Sequence, residues 1–279
     1  MGSTRTPRRA APPRVARADD ALLLRRSHYG ETSLVAEVLS PEYGLCSILA
    51  RGAYRPTSRF FCVLDLFDTL ELEWNERPES ELALLVRGDR RRLRRAVSSD
   101  LAAYRAALAG LDSAQAVARR GREERALYRL LEEFLDALQA TPERADLELA
   151  AFDLRFLDQL GLAPALAHCA RCGRDAPAPD QATVRSAFSA EAGGRLCRAC
   201  AAEAREEGAR VGSLATRTLI AAEILGSLGP GALAGEVERN SRVLLENERP
   251  RVRDFVERFL EYHLERRPKA RRRLPSPGS

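Results

Sequence analysis

Four cysteines carry the clearest chemistry in the chain: Cys169 and Cys172 form one C-x-x-C pair, and Cys197 and Cys200 form another. Each pair can offer two sulfurs to one ion from a single tight turn, and the 24 residues between Cys172 and Cys197 let the pairs meet. Four thiolates around Zn²⁺ leave no open coordination position for water or substrate, so such a site braces structure and does no hydrolysis. Two disulfides would need an oxidising compartment. The opening residues hold arginine and proline with no apolar signal core, and no run of about eighteen apolar residues suggests a membrane span. These features predict an intracellular, soluble protein, and a single structural zinc is favoured over a redox pair. Spacing alone does not choose between zinc and a four-thiolate iron centre. Cys46 and Cys62 sit in apolar stretches and read as buried small hydrophobes.

Other chemistry is lacking. The sequence has no G-x-S-x-G, no G-x-x-x-x-G-K-[ST] and no H-E-x-x-H, so neither a nucleophile, a bound nucleotide nor a zinc hydrolase is indicated. The formal charge of +5 is modest, but it is unevenly spread. Residues 65–81 carry seven acids, residues 87–95 carry six arginines, and residues 266–273 carry six basic residues with no acid. Local positive fields of this kind suit phosphate binding through counterion release. Lys269 is the only lysine, so arginine dominance by itself says little.

Several elements must position these groups. Residues 1–18, with Arg5, Arg8, Arg9, Arg14 and Arg17 among Pro and Ala, read as a flexible basic arm. Residues 19–88 have the period of strands: Leu22–Arg26, Thr32–Leu39 with Leu34, Ala36 and Val38 on one face, and Leu45–Arg51. A longer strand spans 66–76 with a bulge near Asp68, and a fifth holds Leu82, Leu84 and Val86. Five short strands in so few residues predict a small closed barrel of the OB type. Residues 89–165 have the period of helices, one over Arg94–Leu108, one carrying Leu127, Leu130, Leu131, Phe134, Leu135 and Leu138. A third, capped at Thr141-Pro142 and ended at Gly161, carries Leu149, Phe152, Phe156, Leu157 and Leu160. The cysteine module occupies 166–203 with Pro177 and Pro179 in its loop, and helices resume over 204–268, at 213–228 and 250–265. A basic tail, 269–279, follows. The fold class is α+β: an OB barrel, then a helical domain with an inserted four-cysteine finger.

Within the barrel, the loop Arg51, Gly52, Ala53, Tyr54, Arg55 to Arg59 supplies three arginines and an aromatic ring, the parts with which such barrels hold sugar-phosphate chains and stack bases. Arg25 and Arg26 extend that groove. Phe60 and Phe61 read as core. Arg90, Arg91, Arg92, Arg94 and Arg95 form a second cluster; cations are unfavourable at a helix start, which suggests an external anion. The predicted nucleic-acid-binding set is therefore Arg25, Arg26, Arg51, Tyr54, Arg55, Arg59, Arg90, Arg91, Arg92, Arg94 and Arg95. Arg171, Arg174, Arg195 and Arg198 around the cysteines read as compensation for the negative charge of a metal tetrathiolate. His168 is a neighbour of the cluster and His263 a packing group.

This order of parts resembles the RecO family of bacterial DNA repair and recombination proteins. Leu23-Leu24-Arg25 through Tyr29-Gly30-Glu31 is similar to the family's first strand and hairpin. Arg51-Gly52-Ala53-Tyr54-Arg55-Pro56-Thr57-Ser58-Arg59-Phe60 is similar to its basic loop. Phe152-Asp153-Leu154-Arg155 through Gly161, His168-Cys169, Cys172-Gly173 and Gly193-Gly194-Arg195-Leu196-Cys197 resemble its finger, and the cysteines mark a zinc-bearing branch. The resemblance implies a cytoplasmic, nucleoid-associated mediator that is not an enzyme. It implies binding of single- and double-stranded DNA, annealing of complementary strands, and action with RecR and single-stranded-DNA-binding protein (SSB) to help RecA load. The competing reading is a zinc-stapled helical adaptor that binds only proteins.

Overall fold

The structure, a computed structural model, describes residues 15–60, 62–77, 80–175, 185–235 and 237–264. The predicted basic arm up to residue 14, Phe61, Pro177, Pro179 and the basic tail lie outside these residues. The chain divides into two units, one reaching Leu93 and including Arg119–Glu124, the other holding Arg94–Ala118 and the chain from Arg125 onward.

The first unit is a closed barrel of β1 (Val15–Tyr29), β2 (Ser33–Ser40), β3 (Gly44–Ala50), β4 (Thr69–Arg77) and β5 (Ser80–Arg92), in the order β1-β2-β3-β5-β4. That is the strand order of an OB barrel, closed by a parallel pairing of β3 with β5 over Ser47–Leu49 and Leu82–Leu84. Alternation fills it: Leu34, Ala36 and Val38 from β2 and Leu70, Leu72 and Trp74 from β4 are all buried. β1 is longer than the predicted Leu22–Arg26 because it serves two neighbours, pairing Val15–Leu22 with β4 and Leu22–Tyr29 with β2. Its first half lacks an apolar stripe and is held instead by the backbone ladder, by Arg17 on Glu76 at 3.3 Å, and by Asp19, which accepts from the Ser40 hydroxyl and the Glu42 N–H. Residues 15–18 are thus strand, not arm. The predicted irregularity near Asp68 is a register shift beside it, between Thr69 and Leu70, and Phe67 takes a positive φ of 74°. Cys46 is buried as expected, which pushes its thiol up to about 12. Cys62 is exposed, because the chain after Phe60 turns instead of entering a strand.

Arg119–Glu124 belong to this unit, although sequence period places them in the helical domain. The Leu45 N–H donates to the Arg119 carbonyl, Glu124 N–H to the Pro41 carbonyl, and Arg120 to the Ser47 hydroxyl at 2.7 Å. Gly44 makes this possible: its φ is 66°, and a Cβ there would lie 2.3 Å from two carbonyl oxygens of the returning segment.

The second unit contains α1 (Arg95–Ser99), α2 (Leu101–Val117), α3 (Arg125–Ala140), α4 (Ala145–Gln159), α5 (Arg198–Glu206), α6 (Thr216–Leu228) and α7 (Arg239–Leu264). It also holds a three-stranded sheet of β7 (Gly194–Leu196), β6 (Arg185–Ser189) and β8 (Gly212–Ala215), in that order. The predicted helix over Arg94–Leu108 is broken at Asp100, whose carboxylate accepts from the Ala103 N–H and starts α2 anew. Thr141-Pro142 opens a short 3-10 turn ahead of α4. Pro250 does not begin the last helix but lies inside α7, which starts eleven residues earlier. Phe134, Phe152 and Phe156 stack in series at 4.7 and 5.7 Å, and Gly110 leaves room for Phe134. Phe188 of β6 meets Phe255 and Phe259 of α7, which anchors the small sheet to the helices. That sheet reaches Ala215, so the cysteine module extends past the predicted end at residue 203.

Arg94 departs from its predicted role on a DNA-facing surface. Its side chain is fully buried within the helical unit, with Nε 2.7 Å from Asp136. It serves the core instead. Glu132, 3.9 Å away, is the acid left to face Arg94 if Asp136 is lost, so Asp136→Ala should lower unfolding free energy by about 1–2 kcal/mol in urea melts.

Candidate metal centre and nucleic-acid interface

The first C-x-x-C pair lies on a turn whose shape is set by backbone bonds. Cys169 N–H donates to the Arg174 carbonyl, Gly173 N–H to the Cys169 carbonyl, and Gly173 has a φ of 70°. The second pair straddles the start of α5: Cys197 is the N-cap and Cys200 lies in the first turn. β7 brings the two together, since Ala170 N–H donates to the Arg195 carbonyl and Arg195 N–H to the Ala165 carbonyl, both at 2.8 Å. The four sulfurs lie within 4.8 Å of one another, with Cys172 and Cys197 3.8 Å apart. A tetrahedron of metal–sulfur bonds of about 2.3 Å has edges of about 3.8 Å. The set therefore fits one ion, and the sulfur spacing is far beyond a disulfide bond of about 2.0 Å.

Burial raises the Cys169 thiol, but N–H groups of Cys197, Cys172 and Arg171 outweigh it and bring the thiol down to about 6. The Cys197 N–H reaches its sulfur at 3.3 Å. Cys197 is lowered by hydrogen bonds from Cys200, whose own thiol is pushed up to about 12 by its bond to Cys197 and by burial. Four sulfurs this close share protons, and a bound ion would displace them. His168 is exposed and bridges by its backbone to Asp175, outside the sulfur set. Arg171 is held by Glu207 through two hydrogen bonds, the shorter 2.5 Å.

In the barrel unit the structure sorts the predicted arginines by what already holds them. Arg25, Arg51 and Arg55 are exposed and have no ion pair or side-chain hydrogen bond among the described residues. Arg26 donates to the Leu64 carbonyl at 3.2 Å and faces Asp65 at 3.7 Å. Arg59 donates to the Val86 carbonyl and lies over Phe60, 5.0 Å from its ring centre. Arg90 faces Asp68 at 3.5 Å, and both oxygens of Asp20 accept from Arg91. Arg92 is exposed at the end of β5. Arg95 is exposed at the start of α1 in the other unit. No carboxylate signal in the sequence identified Asp20 and Asp68 as partners, because Asp20 lies within β1 and Asp68 just before β4, both far from residues 90–91 in the chain.

Tyr54 is half-buried and one face of its ring is covered by His28, at 4.4 Å and 13° between planes. His28, to which sequence gave no role, is exposed and so extends the stack outward. The Tyr54 N–H bonds to the Thr32 carbonyl, fixing the loop on the first hairpin.

Comparison with known proteins places both halves. The N-terminal model of recombination protein O matches residues 16–93, and its C-terminal model matches 98–272. The chain belongs to the RecO family. A curated DNA repair protein RecO from Anaeromyxobacter sp. (strain K) is 37% identical over 257 residues, covering 92% of this chain and 95% of the relative. One from Myxococcus xanthus is 30% identical over 257 residues, covering 90% and 94%, and one from Syntrophotalea carbinolica is 31% identical over 185 residues, covering 66% and 69%. As a RecO family protein this chain is a DNA repair protein, with an OB-type barrel, a helical domain and four clustered cysteines able to hold a metal ion. No helix among the described residues is long and apolar enough to cross a membrane.

Gly194 is the tightest point of the finger, since a Cβ there would sit 2.4 Å from the Ala165 carbonyl oxygen. Gly194→Ala must push aside the segment leading to Cys169. Its melting temperature should fall and the reactivity of its thiols with a disulfide reagent should rise several-fold.

Proposed function

We propose that this RecO family protein binds DNA through its barrel, with Arg25, Arg51 and Arg55 on phosphates and the Tyr54–His28 stack beside them as a platform for bases. The observation that carries this reading is three exposed arginines without a partner among the described residues, two of which, Arg51 and Arg55, flank the Tyr54 that stacks on His28. Guanidinium groups already held by carboxylates would have to give up those contacts to bind phosphate, whereas these three would not. Stacking adds affinity for single strands without sequence preference. Arg26, Arg59, Arg90, Arg91 and Arg92 form the flanks of the same positive field, and Arg95 stands apart in the helical unit.

On this basis the protein is a recombination mediator of the cytoplasm and nucleoid. It holds single- and double-stranded DNA, anneals complementary strands and, with RecR, helps RecA load where SSB coats the strand. It is not an enzyme, and binding free energy alone drives annealing. The four cysteines hold one structural Zn²⁺, for which a closed set of four thiolates is the usual ligand set.

Fluorescence anisotropy with oligonucleotides tests the barrel. The Arg25→Ala, Arg51→Ala, Arg55→Ala variant should lose affinity by about tenfold or more, and by similar factors for unrelated sequences. A folded wild-type protein that ignored oligonucleotides at low salt would instead be a protein-binding adaptor. Annealing of SSB-coated strands, faster with RecR added, is the expected functional readout. For the metal, elemental analysis should find one zinc per chain, and a strong chelator should lower the melting temperature of the wild type but not of Cys172→Ser, Cys197→Ser.

A further inference from the structure

A cleft of about 470 Å³ opens beside the four cysteines in the helical unit, lined by Arg174, Arg185, Arg195, Arg198 and Arg205, with Asp175 the one acid among its lining residues. Even with Glu223 set against Arg195, five positive charges exceed the two carboxylates and the two net negative charges of a zinc tetrathiolate. Charge compensation, the role that sequence assigns to Arg174, Arg195 and Arg198, therefore leaves an excess.

The arrangement of these side chains is ordered. Arg198 and Arg205 fall seven residues apart on one face of α5, with the small side chain of Ala201 between them. Arg185 is held by Ser213, which accepts from its Nε at 2.9 Å. Arg195 is 7% exposed and its charge is offset by Glu223, which does not line the cleft. Arg174, Arg198 and Arg205 are exposed and have no hydrogen-bond or ion-pair partner among the described residues. By contrast Arg171, which does not line the cleft, is already neutralised by Glu207. Arg174, Arg198 and Arg205 can therefore take phosphate oxygens without giving up a contact within the fold.

We propose that this cleft is a second nucleic-acid site, which grips the phosphodiester backbone of a strand independently of the barrel. The arginines come from the first cysteine turn, β6, β7 and both turns of α5, a spread that suits consecutive phosphates better than one small anion. Nothing in the lining offers base-edge readout, so the grip is expected to be blind to sequence. A protein with two such sites can hold two strands at once. The proposal goes beyond the barrel reading and does not require it.

The test uses the full chain in four forms: wild type, the Arg25→Ala, Arg51→Ala, Arg55→Ala barrel variant, Arg198→Ala, Arg205→Ala, and all five changes together. With the barrel disabled, salt-sensitive binding of a labelled single strand should remain, and the two finger changes should weaken it by about tenfold or more. Arg171→Ala should leave it unchanged. Metal content and melting temperature report whether the finger stays folded. Photo-crosslinking of wild type to a photoreactive oligonucleotide needs no substitution and should yield adducts on the peptides carrying Arg174, Arg198 or Arg205. If the barrel variant alone abolishes binding and no such adducts form, the cleft is overturned while the barrel reading stands. If inorganic phosphate at matched ionic strength displaces the strand from the cleft, the site takes small anions and the proposal fails. Displacement by an acidic peptide, with strand binding unaffected by the finger changes, also overturns it.

Discussion

Compensation of arginine charge is the constraint on which the rest of this molecule turns. With 45 basic and 40 acidic residues, many positive groups can find a carboxylate within the fold. The structure supplies many: Glu76 for Arg17, Asp68 for Arg90, Asp20 for Arg91, Asp136 for Arg94, Asp146 for Arg249. What matters for function is the remainder. In the barrel unit Arg25, Arg51 and Arg55 have no partner among the described residues, and in the helical unit several arginines gather beside the cysteines. Charge density in the sequence ranks neither set first, because the densest run, residues 87–95, is largely engaged by acids or buried.

The cysteine cluster obeys a related rule. Thiolates in a small module repel one another unless a cation sits among them, and the N–H groups aimed at Cys169 favour its charged form. With four protein sulfurs the coordination is closed, so the ion would order the chain from Ala165 to α5 and leave catalysis aside. That order has a consequence for the arginines nearby. It sets the direction of α5, and with it the face on which Arg198 and Arg205 stand. Metal and cleft are thus linked through backbone position.

Much of the architecture was legible because it rests on periods. Alternation in β2 and β4 gave the barrel core, and the 3.6-residue stripe in α3 gave the Phe134 side of the helical core. The cysteine spacing gave the cluster. Elements held by polar contacts left no such trace. The first half of β1 has no apolar stripe and is fixed by Arg17 and Asp19, and the return of Arg119–Glu124 to the barrel rests on backbone bonds permitted by Gly44. Asp100 breaks a helical pattern that is otherwise continuous, and Pro250 fails to break one. Arginine roles were the least legible of all. A guanidinium reads the same in sequence whether it meets Asp136 in a core, Asp20 across a sheet, or solvent.

Salt dependence of single-strand affinity tests the central claim most directly. Each phosphate contact by a free arginine releases counterions, so the slope of log affinity against log salt should shrink by about 0.7 for each of Arg25→Ala, Arg51→Ala and Arg55→Ala. Arg90→Ala and Arg91→Ala, whose guanidiniums are held by Asp68 and Asp20, should change the slope much less. Equal slopes in all five variants, or a loss confined to the paired arginines, would contradict the account.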